Sequence, residues 1–115
     1  MKILVCGSRS FTDKYLVFAT LAQYLPDVEI VTGMAQGPDL WGWQFAKKYD
    51  LPVYEYPAKW ETYGKSAGFR RNEEMIKSGP DLVLAFWDGI SRGTKHTITL
   101  AHKYNIPIII FTVKL

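Results

Sequence analysis

Cysteine is nearly absent from this chain: its 115 residues hold one, Cys6, so no internal disulfide can form. Cys6 ends an apolar, strand-like run where a thiol packs as a small hydrophobe, and nothing beside it in sequence marks it as a nucleophile. Histidine is almost as scarce. His96 and His102 stand six residues apart with no second His or Cys at ligand spacing, so neither a metal nor a cofactor is expected.

Long apolar runs are missing too. Ile106 to Val113 and Leu82 to Trp87 fall far below the roughly 18 residues a membrane span requires. The opening MKILVCGSR lacks the cleavage pattern of a secretory leader. The expected location is therefore the cytoplasm, with no membrane partner. Charge of one sign is also in short supply: the net charge is +3 and the lysines are dispersed, which argues for a local cationic pocket over a nucleic-acid-binding face.

What is present is an alternation of short β-branched runs with segments of helical period, the mark of an α/β domain with a parallel sheet. The length suits a single domain over 1–115. Strands are predicted near Lys2–Cys6, Val28–Thr32, Pro52–Tyr56, Asp81–Phe86 and Pro107–Thr112. Helices are predicted over about Lys14–Tyr24, Gly37 or Pro38 to Tyr49, Ala67–Lys77 and Gly93–Asn105. Right-handed crossovers favour the strand order 3-2-1-4-5, with a flavodoxin-like order as the alternative. In the first order, strands 1 and 4 adjoin at a topological switch point, and the loops after them meet beyond their carboxyl ends.

Those loops are chemically distinctive. All four arginines, Arg9, Arg70, Arg71 and Arg92, lie in Gly/Ser/Thr-rich stretches: GSRSFTD (7–13), GKSAGFRRN (64–72) and WDGISRGT (87–94), with TGMAQGPD (32–39) nearby. Cations, glycines and hydroxyls at helix starts are the ingredients of an anion site. Each has a plain structural alternative: Thr94, or Asp13 or Thr12, as ordinary helix caps, and Asp39 as a first-turn acid favoured by the helix dipole. Arg70 and Arg71 sit where the dipole disfavours cations, which suggests an anionic ligand, or Asp88 or Glu74, as partner. Trp60 and Tyr63 lie in PAKWETYG without apolar periodicity and are candidates for lining a base or a subunit contact. Trp41 and Trp43 cannot share one face of a helix, so one side is expected to be core and the other an apolar patch; a homo-oligomer is expected on that ground.

The order of motifs then matters. Gly7-Ser8-Arg9, Gly33-x-Ala35-x-Gly37-x-Asp39, Pro57-Ala58-x-Trp60, Gly64-Lys65-x-Ala67-Gly68-x-x-Arg71-Asn72-x-x-Met75 and Ser91-x-Gly93-Thr94 resemble the YspA branch of the YpsA-related SLOG family. That resemblance implies a Rossmann-like three-layer sandwich and a nucleotide or nucleotide-derived ligand, in a superfamily that includes DprA and the LOG phosphoribohydrolases. It implies a pocket of Gly7, Ser8, Arg9, Gly33, Gly37, Asp39, Arg71, Asn72, Ser91, Gly93 and Thr94. The LOG enzymes carry a PGGxGTxxE signature whose glutamate serves N-glycosidic cleavage; here Thr97 takes its place. Asp13, Asp39, Glu73, Glu74 and Asp88 remain as acids or bases, and no catalytic residue is singled out. A sensor or carrier is the first expectation, a nucleoside-monophosphate N-glycosidase the second, and a single-stranded DNA binder the third.

Overall fold

The computed structural model describes residues 1–112; the last three positions of the expected domain lie outside the described residues. Five strands, β1 (Lys2–Gly7), β2 (Glu29–Thr32), β3 (Val53–Glu55), β4 (Leu82–Trp87) and β5 (Ile108–Thr112), form one parallel sheet in the order β3-β2-β1-β4-β5. This is the α/β Rossmann-like layout, and it excludes the flavodoxin-like order. The register sets Val5 opposite both Thr32 and Leu84, so β1 is the central strand.

Alternating side chains of β1 divide the interior into two layers. Ile3 and Val5 join Ile30, Leu84 and Phe86 beneath α1 (Lys14–Ala22) and α2 (Pro38–Lys48), where Val17, Leu21 and Phe45 complete a buried cluster. Leu4 and Cys6 join Val31, Val83 and Ala85 on the opposite face, under Met75 and Ile76 of α4 (Ala67–Lys77) and Ile98 and Ala101 of α5 (Arg92–Lys103). The chain changes faces between β3 and β4, which makes β1/β4 the switch point.

Several boundaries differ from expectation. α1 stops at Ala22 instead of Tyr24, and α5 begins one residue early, at Arg92. Ser91, not Thr94, holds the cap position of α5, and its side chain makes no capping bond. Asp13 does cap α1, accepting from Leu16 N at 3.0 Å. The PAKWETYG segment, which lacks apolar periodicity, carries a single turn of helix, α3 (Trp60–Tyr63), followed by a 3₁₀ turn at Gly64–Ser66. All of α3 is exposed, so no apolar period had to be written into it. On α2, Phe45 packs in the core while the Trp43 indole N–H donates to Glu55 Oε2 at 2.8 Å and Lys47 lies over its ring.

One close approach governs the loop end of the sheet. The first turn of α2 crosses the end of β1 so tightly that a Cβ on Gly7 would stand 2.5 Å from Pro38 Cγ and 2.6 Å from the Phe86 carbonyl oxygen. Any side chain there must displace backbone. Gly7→Ala is accordingly expected to cost about 1–3 kcal/mol, the usual range for overpacking, read as a lower urea midpoint at unchanged slope.

Candidate functional site

The crevice over β1 and β4 opens into a cavity of about 450 Å³. Its floor is Cys6 and Gly7, one wall is the start of α5, and the opposite wall is α3 and α4. A second hollow of about 300 Å³ adjoins it toward β2 and β3, and Arg9, Ala35, Trp60 and Arg71 line both.

Asp39 is the buried charge of the site. It is 5% exposed on the first turn of α2, and its Oδ1 accepts from Gly7 N at 3.1 Å. Burial pushes its carboxyl from an ordinary 3.8 up to about 6, against the opposing pull of Arg71 and of the Gly7, Ala35 and Gly33 amides. Gly33 makes the arrangement possible: a Cβ there would lie 2.5 Å from Arg71 Nη1 and 2.9 Å from Asp39 Oδ2. The same burial pushes the Cys6 thiol up, helped by Asp39, so the lone cysteine stays protonated and inert.

Arg71 reaches across from α4. Its Nη1 donates to the carbonyls of Gly33 and Tyr56, and its Nε donates to Asn72 Oδ1 at 2.9 Å. Neither Asp88 nor Glu74, the protein partners its sequence position suggests, bonds it; the carbonyls of the loop after β2 and the end of β3 take that role. Asn72, buried, donates to Gly93 O at 3.2 Å and bonds His96 Nδ1 at 3.2 Å, tying α4 to the start of α5. Burial lowers the His96 pKa, which favours the neutral ring that this contact requires, while Glu73 opposes the shift.

Asp88 organises the other wall. Its Oδ1 accepts from Ile90 N at 2.8 Å and Ser91 N at 2.7 Å, and its Oδ2 accepts from Ser10 Oγ at 2.7 Å. The Ser91 amide, then the Ser10 hydroxyl and the Ile90 amide, hold its carboxyl down at about 2. These bonds consume the loop amides before α5. The amides of Arg92, Gly93 and Thr94, in the helix's own first turn, have no intrahelical acceptor.

Of the residues expected to line a pocket, Gly7, Arg9, Asp39, Arg71, Asn72, Ser91, Gly93 and Thr94 meet at the larger cavity, and Gly33 faces the smaller. Ser8 and Gly37 do not line either. Ser8 is buried beneath the crevice, where its Oγ accepts from Asp88 N at 3.1 Å and bonds Thr94 Oγ1 at 3.4 Å. Gly37 is a backbone spacer, with φ of 92° and a Cβ position 3.1 Å from Ser8 O. Arg70 and Arg92 also stay outside the lining: Arg70 stacks on Tyr63 with its Nε on Ser66.

Other lining residues were not in the expected set. Lys65, Gly68, Phe69 and Met75 come from the α3–α4 segment, and Ser10, Asp88 and Thr97 from the β1 and β4 loops and α5. Phe69 is half exposed and stacked on His96 with centroids 4.2 Å apart. A large apolar residue on a polar helix face is the signal that would have found it. Among the described residues, no cluster of His, Cys, Asp or Glu could hold a metal, and no helix is long and apolar enough to cross a membrane.

A family model described as "YspA, cpYpsA-related SLOG family" matches residues 1–63, more than half of the chain. This chain belongs to that family. The match takes in the Gly7–Arg9 and Gly33–Asp39 motifs on the first three strands of the SLOG fold. The Gene 61 protein of Mycobacterium phage D29 is 36% identical over 119 residues, covering 96% of this chain and 95% of the phage protein. That match extends well beyond residue 63. No solved structure matches the chain.

The raised Asp39 pKa has a consequence for stability. The folded state holds the proton more tightly than the unfolded chain, so this group's stabilising contribution is present below pH 4 and is lost as pH climbs through about 6. The loss is on the order of 3 kcal/mol at its limit. Asp39→Asn, which keeps an acceptor for Gly7 N–H but cannot ionise, is expected to abolish that decline. Urea unfolding of both proteins at pH 4, 5, 6 and 7 measures it.

Proposed function

We propose that this SLOG domain binds a nucleotide or nucleotide-derived small molecule in the crevice over β1 and β4, as a sensor or carrier. The observation that carries the reading is the convergence of cations, hydroxyls and a helix start on one concave space. Arg9 makes no hydrogen bond or ion pair among the described residues, and the single ion pair found among them, Lys77–Glu73 at 3.8 Å, is on the outer face of α4. Arg9 and Lys65 therefore carry unneutralised charge at the cavity. Ser91, Gly93 and Thr94 at the start of α5 line the same space, and hydroxyls beside a helix N-terminus are a combination suited to phosphate. Asp39 would accept from sugar hydroxyls, as acidic side chains do in dinucleotide sites. Trp60 and Phe69, exposed at the rim, offer flat surfaces for a base.

Titration calorimetry with AMP is expected to show saturable binding. Arg9→Ala is expected to weaken it by about 1.5–3 kcal/mol, tenfold or more, the worth of a hydrogen bond to a charged group. Arg9 is the right position to change because it supports nothing within the fold, whereas Arg71 also holds two loops. No heat with AMP, or equal affinity in Arg9→Ala, would count against the reading.

A second reading, N-glycosidic cleavage, has one observation in its favour: Asp39 lines the cavity with a carboxyl near pH 6, a range suited to general acid–base work. Against it, Thr97, which also lines the cavity, brings no carboxylate to the position the LOG signature fills with glutamate. The expected outcome on prolonged incubation is intact AMP by chromatography. Release of adenine, lost in Asp39→Asn, would move the assignment to the second reading.

A further inference from the structure

His96 lines neither of the two cavities, yet its ring sits where α4 meets the start of α5. The Asn72 amide beside it is fully committed. Its Oδ1 accepts from Arg71 Nε at 2.9 Å, and its Nδ2, with two protons to give, meets Gly93 O at 3.2 Å and His96 Nδ1 at 3.2 Å. Turning the amide over would set its oxygen against the Gly93 carbonyl and its N–H groups against the Arg71 N–H. Arg71 and Gly93 therefore hold the amide in the same orientation, with a donor aimed at His96 Nδ1.

A donor in that place demands a lone pair on Nδ1. The neutral ring meets the demand in one tautomer, with its proton on Nε2; the imidazolium, protonated on both nitrogens, cannot. The opposition comes from Asn72 and not from Phe69, whose stacked ring, 4.2 Å away between centroids, would attract a cation. The charges around His96 are few. From α4, Glu73 favours the imidazolium, but it is shared with Lys77 at 3.8 Å. On α5 itself, Arg92 lies one turn earlier, Lys95 is the preceding residue and Lys103 lies two turns later, all exposed cations. Lys65, in the turn before α4, lines the larger cavity. β4 and β5 beneath α5 carry no charged residue, and Lys2 of β1 donates to Ser78 O. Asp88 is engaged by Ser10, Ile90 and Ser91.

We propose that His96 is a proton-sensitive latch between α4 and α5: as the neutral ring it accepts from Asn72 and holds the two helices together, and as the imidazolium it releases Asn72. Release reaches the crevice through two bonds. A loosened amide leaves Arg71 with the Gly33 and Tyr56 carbonyls alone, and it frees the Gly93 carbonyl in the first turn of α5. Burial also disfavours the proton, so the latch opens below the ordinary histidine value of 6.5. The folded chain takes up this proton less readily than the unfolded one. The contribution of His96 to stability is therefore complete above pH 6.5 and fades as pH falls through the lowered value, the opposite sense to Asp39.

An NMR titration of the ring nitrogens and amides from about pH 4 to 8, with the urea-unfolded chain as reference, tests this. At the alkaline end the His96 ring is expected as the Nε2–H tautomer, and its midpoint is expected below that of the unfolded chain. The Asn72 side-chain amide and the Gly93 and Thr94 backbone amides are expected to shift with the His96 midpoint. The Gly7 amide, bonded to Asp39, follows that carboxyl at about 6 instead. His96→Gln, which offers a carbonyl acceptor and takes up no proton, is expected to abolish the shift at Asn72 and Gly93 and to keep the one at Gly7. A proton on Nδ1 at the alkaline end, a midpoint at or above the unfolded one, or an acid transition at Asn72 that survives in His96→Gln would each overturn the latch. Should His96→Gln fail to fold, the wild-type tautomer and the match between the Asn72 and His96 midpoints decide it.

Discussion

A single carboxylate removed from water shapes the loop end of this sheet. Asp39 loses its hydration in the first turn of α2, and an isolated buried carboxylate would be untenable without partners. The Gly7 amide donates to it, and the Arg71 guanidinium stands opposite across the space that Gly33 leaves empty. Each partner belongs to a different segment: the end of β1, the loop after β2, and α4. Satisfying one group thus draws three distant stretches of chain to one point, and the need for backbone to approach so closely accounts for glycine at both 7 and 33.

From that point the crevice is held by backbone as much as by side chains. Arg71 is anchored on the Gly33 and Tyr56 carbonyls, and Asn72 fixes both Arg71 and the Gly93 carbonyl. Ser8 and Thr94 join β1 to α5 beneath the floor. A crevice braced in this way has its shape fixed by the protein's own contacts, the preorganisation that reduces the entropic cost of any association.

The sheet was legible in the sequence because its signals are local and repeated. β-branched runs mark the strands, glycine, proline and asparagine punctuate the helices, and crossover handedness then leaves few orders open. The crevice lining is legible where glycine and arginine cluster after strands, as at Gly7–Arg9 and Gly33–Asp39. Ser8 lies beneath that lining, because the direction of one side chain at the turn that ends a strand depends on the path of a neighbouring loop. The α3 turn escaped because an exposed helix needs no apolar period, and Phe69 because it breaks the polar face of α4 for a reason that lies across the crevice. The smaller hollow is not legible from any one stretch of sequence: its wall combines loop residues such as Met34, held at φ of 62°, with Pro57 and Ala58 from a segment more than twenty positions away.

The crevice is built around acids, yet its charge balance leaves cations standing in it. Asp88 is ionised, but both its oxygens are already engaged by Ser10, Ile90 and Ser91, so its charge is spread into the loop that carries it. Asp39 lies close enough to Arg71 to feel it, but the two make no ion pair within 4.0 Å, and Arg71 spends its donors on neutral carbonyls and an amide oxygen. Neutral acceptors position a guanidinium without cancelling its charge. Arg71 therefore remains a cation in the groove, and Arg9, exposed and without protein partners among the described residues, adds to it. The two cations differ in kind: Arg71 is fixed by three acceptors, and Arg9 is fixed by none among the described residues.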